Sequence, residues 1–439
     1  MFGFRKPRAP LTTFQRVDIE LLMRRSIETI GRSFVRDAEV VTELNQLRLD
    51  TTSPELLLET ARSAICDRLP VMDHSCDIVI VEGSETAHPS SYRAATEAQP
   101  AQIKITDETL GDPLRTVMEL AYQFSSHFWH SRPESNDLDR QPRTSHLLPL
   151  CCGLGVLASD ASLYDNQWSQ GGWTGWSISR SGYYSTVEIG YALALFARSR
   201  NESNAEWEKS LRLDSLATLK QAVRYFDANE RQGGALLFDV EVIPSSATDQ
   251  NQLAEWLRGD DRSFALAAAF ALAKLEALSS KATEAAMIAS KSGDPDLVPV
   301  AARLLGNSRQ PSVDVAERLR TMIRKESHQT VYSAVLSAEK LGLPTEVFYS
   351  KLGKLLELFQ QDATELLQLV GRQGNACNFL VPNICEQIVR SLRSLDHPAA
   401  DEALRCLGQI ESDPEAALKK QIRSPEICQE ALERFSALD

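Results

Sequence analysis

The sequence predicts an α+β N-terminal domain, mainly helical with a small sheet, followed by an all-α solenoid of helical repeats. Three observations carry this expectation. Helical spacing of apolar residues in the first half is interrupted by two short segments of alternating Ile and Val. Strand signals vanish after residue 253. Beyond that point, glycines at helix ends recur at Gly306, Gly342, Gly371 and Gly408, with separations of 36, 29 and 37 residues. A period of this size with two helices per unit marks a HEAT- or armadillo-like array, in which each unit buries its apolar face only by stacking on the next.

The elements follow in order. In residues 14–35, Ile19, Leu22, Met23, Ile27, Ile30 and Phe34 fall three or four apart and define one helical face. Ser53-Pro54 is an N-cap followed by a first-turn proline, and opens a helix over 53–69. CDIVIVEG (76–83) and AQIKITDE (101–108) alternate as strands, and the Ser-, Thr- and Ala-rich stretch between them reads as a surface loop. Asp112-Pro113 opens the next helix, through LRTVMELAYQFSSHFW. A polar linker (130–145), an apolar run (147–158), a Gly- and Trp-rich stretch (167–185) and a helix over 187–200 come next. Residues 206–226 read as one or two further helices, and 227–252 as a linker. Short polar turns such as SGDPDLV (292–298) and ESDPEAA (411–417) punctuate the helices beyond it.

Composition excludes several functions. The 439-residue chain has net charge −13, and both halves are acidic: 25 Lys+Arg against 34 Asp+Glu before residue 252, and 22 against 26 after it. A surface that neutralises nucleic-acid phosphates is therefore not expected. The longest apolar runs, 147–158 and 264–273, fall short of the about 20 residues of a membrane helix. The basic N-terminus (Arg5, Lys6, Arg8) is followed by LTTFQRVD rather than an apolar core, so it reads as a flexible tail and not a signal peptide. The eight cysteines form no CxxC pair, which fits free thiols in a reducing cytoplasm.

The chemistry-bearing stretch is LAYQFSSHFWH (120–130), with three of the seven histidines, His127, His130 and His146, close together. A zinc hydrolase helix needs H-E-x-x-H: two His one turn apart bind the metal, and the Glu polarises the bound water. Strand, short turn and amphipathic helix supply that context here. The pieces LAYQFSS (120–126), SHLLPLCCGLGVLASD (145–160), WSISRSGYYS (176–185) and EIGYALALFA (188–197) together resemble a bacterial family of uncharacterised proteins with a zincin-like metallopeptidase domain. In that family the helix reads A-H-E-x-A-H, followed by a segment containing G-L-G, a tryptophan-bearing loop, R-x-G-Y-L-S and G-Y-A-L-A. The resemblance covers about half the chain and implies a zincin-like fold for residues 14–226.

The departures decide what the resemblance implies about activity. Tyr122 and Ser126 stand at the two His positions, Gln123 at the Glu position and His146 at the Asp position. A neutral amide is no general base, and a Ser hydroxyl is a poor zinc ligand at neutral pH. These four are vestigial positions, and no catalytic residue, metal or cofactor is expected. A relocated metal site at His127, His130 and His146 is the alternative. However, His127 is rotated about 100° from the Ser126 position, and a pair of His at a helix C-terminus has an electrostatic reason to be there. Trp168, Trp173, Trp176 and Tyr183 are candidates for a stacking groove for a peptide or glycan; the competing reading is a loop that covers the old cleft.

The expected organisation is a flexible basic N-terminus (1–13), a degenerate zincin-like domain (14–226), a linker (227–252) and HEAT-like repeats (253–439). The expected role is a non-catalytic scaffold in the cytoplasm, with a protein partner bound by the repeats and neither nucleic acid nor membrane. The sequence leaves the oligomeric state open.

Overall fold

The computed structural model describes residues 9–438 apart from 72–75, 83–88, 97, 136–138, 163, 171–172, 180–181, 232–235, 240–248, 310–311, 360–362 and 394–396; of 164–170 and 173–179 it describes the backbone. The chain divides into two compact units, Met1–Asp239 and Val240–Asp439. Both are mainly helical, and no helix among the described residues is long and apolar enough to cross a membrane.

The first unit begins with α1 (Thr13–Ile30). Thr12 and Gln15 cap it reciprocally, and its face of Ile19, Leu22, Met23 and Ile27 is buried. Gly31, at φ +95°, breaks the helix expected to run to residue 35, and α2 (Arg32–Asp37) follows in a new direction. Helix α3 (Pro54–Cys66) has the expected Ser53 cap and first-turn proline. Strand β1 (Asp77–Val81) pairs in parallel with β3 (Gln102–Thr106). Between them β2 (Ser90–Arg93) pairs antiparallel with β3, so part of the stretch read as a loop is a third strand. Four residues, SSYR, are too few and too polar to show alternation.

After α4 (Asp107–Leu110), α5 (Pro113–His130) is capped by Asp112, which accepts from the Leu114 and Arg115 amides. Helix α6 (Pro142–Ser145) is one turn inside the stretch read as a polar linker. A π-helical turn (Leu150–Leu154) leads into α7 (Gly155–Ala161), and β4 (Tyr164–Gln170) and β5 (Trp173–Ser179) form an antiparallel hairpin. Helices α8 (Thr186–Ser199) and α9 (Leu213–Glu230) pack on each other, with α8 also against α1 and α7. Leu236, Leu237 and Phe238, inside the stretch read as a linker, are buried in the first unit. The Leu237 amide donates to Glu20 at 2.8 Å, and Tyr191 and Arg16 also bond this fully buried carboxylate, at 2.6 and 2.7 Å.

The Gly-Leu-Gly run owes its form to backbone packing. Gly153 has φ +85°, and a Cβ there would lie 2.1 Å from the Glu39 carbonyl oxygen, while its own carbonyl accepts from the Val41 amide at 2.9 Å. This is a chain crossing and not a phosphate loop.

The second unit consists of paired helices: α10 (Gln250–Arg258) and α11 (Arg262–Ala273), α12 (Ser280–Ala289) and α13 (Leu297–Leu305), α14 (Val313–Lys325) and α15 (His328–Lys340), α16 (Tyr349–Leu358) and α17 (Thr364–Arg372), α18 (Val381–Arg393) and α19 (His397–Ile410), α20 (Pro414–Gln421) and α21 (Pro425–Ser436). The second helices, α11, α13, α15, α17, α19 and α21, pack in sequence, each on the next. Polar side chains tie successive pairs at a near-constant separation. Arg262 bonds Asp294 and Asp296, Lys340 bonds Asn307, Arg372 bonds Glu339 and Arg434 bonds Asp401, each across 32–34 residues. Asp261 caps α11 by accepting from the Ser263 and Phe264 amides.

Gly153→Ala is expected to destabilise the protein by about 3 kcal/mol, since it combines a left-handed backbone with an overpacked crossing. Urea unfolding of the full chain measures it.

Candidate functional site

The site is the polar face of α5, read together with β2 and the segment after α6. Burial on this helix is heavy: Glu119, Tyr122, Ser125 and His127 are all buried beside Leu120, Phe124 and Phe128. The polar side chains at Glu119, Gln123, Ser125, Ser126, His127 and His130 each have a hydrogen-bond partner.

Tyr122 stacks face to face on His146, with ring centroids 3.9 Å apart and an interplanar angle of 4°. His146 follows α6 directly, and its Nδ1 accepts a 2.8 Å hydrogen bond from the Tyr183 amide. The proton of the neutral ring therefore sits on Nε2. Burial against Tyr122 pushes the His146 pKa down to about 3. The same burial, with Glu119 nearby, holds the Tyr122 phenol far above its ordinary range, so it stays protonated. Gly182 closes the site at φ +86°, where a Cβ would come within 3.1 Å of the Tyr122 ring.

Gln123 points to the sheet. Its amide donates to Ser90 Oγ at 2.7 Å, and the Ser90 hydroxyl donates to Glu119 Oε2 at 2.5 Å. Ser126 turns back on its own helix and donates to the Tyr122 carbonyl at 3.2 Å. His130 Nδ1 donates to the Ser126 carbonyl at 2.8 Å. His127 Nδ1 meets the Tyr92 hydroxyl at 3.0 Å, and both His127 and His130 lie against the Tyr92 ring, at 5.7 and 5.1 Å between centroids. Burial, and then His130, lowers the His127 pKa.

The structure thus brings Tyr122 and His146 together, and separately gathers His127 and His130 at Tyr92. Among the described residues, no group of three or more His, Cys, Asp or Glu is placed to hold a metal ion. The donors present do not fit zinc: the phenol of Tyr122 is held protonated, Gln123 is neutral, and the hydroxyl of Ser126 and Nδ1 of His146 are engaged in hydrogen bonds.

Tyr183 is half-exposed, with its amide committed to His146. The backbones of Trp168, Trp173 and Trp176 lie in the β4–β5 hairpin; their side chains, and with them the candidate groove, lie outside the described residues. Sequence reasoning did not single out Glu119, Ser90 or Tyr92. Glu119 carried a signal, a carboxylate on an apolar face one turn before Gln123. Ser90 and Tyr92 sit on the strand that the sequence hid.

No family model matches this chain, and no curated protein is significantly similar to it.

The His146 pKa implies a stability change with a definite sign. The folded ring is neutral down to about pH 3, whereas an unfolded His takes its proton near 6.5. The stabilisation is complete above pH 6.5 and is lost as pH falls toward 3, by about 1.4 kcal/mol per unit. Unfolding free energies at pH 7 and pH 5 should differ by about 2 kcal/mol from this group, and His146→Gln should remove that part of the difference.

Proposed function

We propose that the first unit is a degenerate zincin-like domain with a closed metal cleft, and that the second is a HEAT-like repeat array. Together they make a non-catalytic scaffold that binds a protein partner through the repeats. The single observation that carries the first part is the stacking of Tyr122 on His146. At the helix position where a zincin keeps its first metal-binding His, an aromatic ring lies flat against the only His that approaches from the next segment. Gln123, at the position of the catalytic Glu, is turned to Ser90 as a hydrogen-bond donor, which a general base cannot be.

The second part is supported by the serial packing of second helices and by ties across 32–34 residues. These are the nearest-neighbour interfaces of a repeat array, whose extended surfaces suit protein partners. A cytoplasmic location accords with the cysteines, six of the eight being buried.

The test is restoration. The triple variant Tyr122→His, Gln123→Glu, Ser126→His regains two ligands one turn apart and frees His146 from its stack. It is expected to bind about one zinc per chain, with wild type binding none. Metal analysis of both purified proteins reads this out. Wild type carrying one zinc that His130→Ala removes would overturn the reading in favour of a relocated site.

A further inference from the structure

Strand β1 is an open edge. The sheet order is β1–β3–β2, and among the described residues nothing pairs with β1 on the side away from β3. The register sets Ile78 beside Ile103 and Ile80 beside Ile105, so these residues share one face. Ile103 and Ile105 are fully buried, yet Ile80 is 40% exposed, and Val79 on the opposite face is 37% exposed. The core face therefore continues past β3 through Ile78, which packs partly against the core, to Ile80, which is exposed among the described residues.

The backbone at this edge is also unsatisfied by the sheet. The Asp77 amide bonds the Ala101 carbonyl at 3.0 Å. The parallel ladder then uses Asp77, Val79 and Val81, and turns the N–H and C=O groups of Ile78 and Ile80 outward. Natural sheets blunt such edges with proline, lysine or a bulge. Between Asp77 and Val81 the sequence is DIVIV, with neither proline nor lysine.

We propose that β1 is a docking edge whose occupant is β1 of a second copy of this chain, antiparallel about a twofold axis through Val79. The strand's own symmetry selects this occupant. Ile78-Val79-Ile80 reads the same in both directions. Pairing about Val79 sets Ile78 opposite Ile80 of the second copy, and these are the residues with outward N–H and C=O groups. Each such pair exchanges two hydrogen bonds. The two Val79 side chains meet across the axis in the pair without hydrogen bonds, with Cβ atoms about 4.5–5.5 Å apart. Asp77 falls opposite Val81, so no like charges face one another. Two three-stranded sheets become one of six strands, and each Ile80 gains a neighbouring strand on its exposed side.

Sedimentation equilibrium of the full chain over a range of concentrations tests this. Wild type is expected to rise from a 48.7 kDa monomer toward twice that mass. Val79→Thr, which keeps the branched side chain, should dimerise like wild type. Val79→Lys and Val79→Glu each place like charges across the axis and should weaken the dimer at least about tenfold. An equimolar mixture of the Lys and Glu variants should recover it, which also shows that both are folded. A wild type that stays monomeric throughout overturns the proposal, and leaves the edge to a strand of another protein. A Lys variant that dimerises like wild type, or a mixture that fails to recover the dimer, overturns it equally.

Discussion

The first unit depends on the contact between Tyr122 and His146. Helix α5 lies in the middle of the core, with aromatic and aliphatic residues on most of its surface. On a helix so placed each unbonded polar group costs the desolvation that folding imposes, and α5 leaves the Trp129 indole N–H in that state while bonding Glu119, Gln123, Ser125, Ser126, His127 and His130. Tyr122 offers a broad, buried apolar ring, and His146 stacks on it. The same His accepts the Tyr183 amide and so fixes the turn that leads to α8. Ring, histidine and turn are one structural device.

The remaining polar residues of α5 are arranged around that device. Gln123 and Glu119 reach the sheet through Ser90, while His127 and His130 meet the same face of β2 at Tyr92, two residues further on. Helix and strand are thus held by hydrogen bonds as well as by apolar packing. Every side chain at a position of catalytic interest is committed to a structural partner. This commitment, more than any missing ligand, is what supports the proposed non-catalytic role.

Much of the secondary structure was legible because its signals are local. Ser53-Pro54, Asp112-Pro113 and Asp261 cap helices where the chain places them, since capping depends on a few consecutive residues. The two apolar strands were legible by alternation. Strand β2 was not, because its pairing with β3 is decided by a partner and not by its own residues. The break at Gly31 was hidden by apolar spacing that continues through it. In the site, the substitutions at 122, 123 and 126 were visible, but their partners were not: a stack between residues 122 and 146 is a tertiary fact.

The helical unit shows how a repeat signal relates to its cause. Gly306, Gly342, Gly371 and Gly408 all fall at or near the ends of the second helices. At Gly306 a Cβ would press within 3 Å of Ser337 on the next second helix, and at Gly371 it would meet Gln409 two helices on. Close approach between successive pairs accounts for Gly306, Gly371 and Gly408, which meets Phe435, whereas Gly342 stands in open space at φ +68° and is favoured by its left-handed backbone. The packing of the first unit, however, turns on the state of His146. Nitrogen-15 NMR of the histidine rings at neutral pH, with and without added zinc, tests it most directly. The account predicts an Nε2–H tautomer with Nδ1 accepting a hydrogen bond, unchanged by the metal. A His146 signal that shifts to a zinc-bound nitrogen would contradict it.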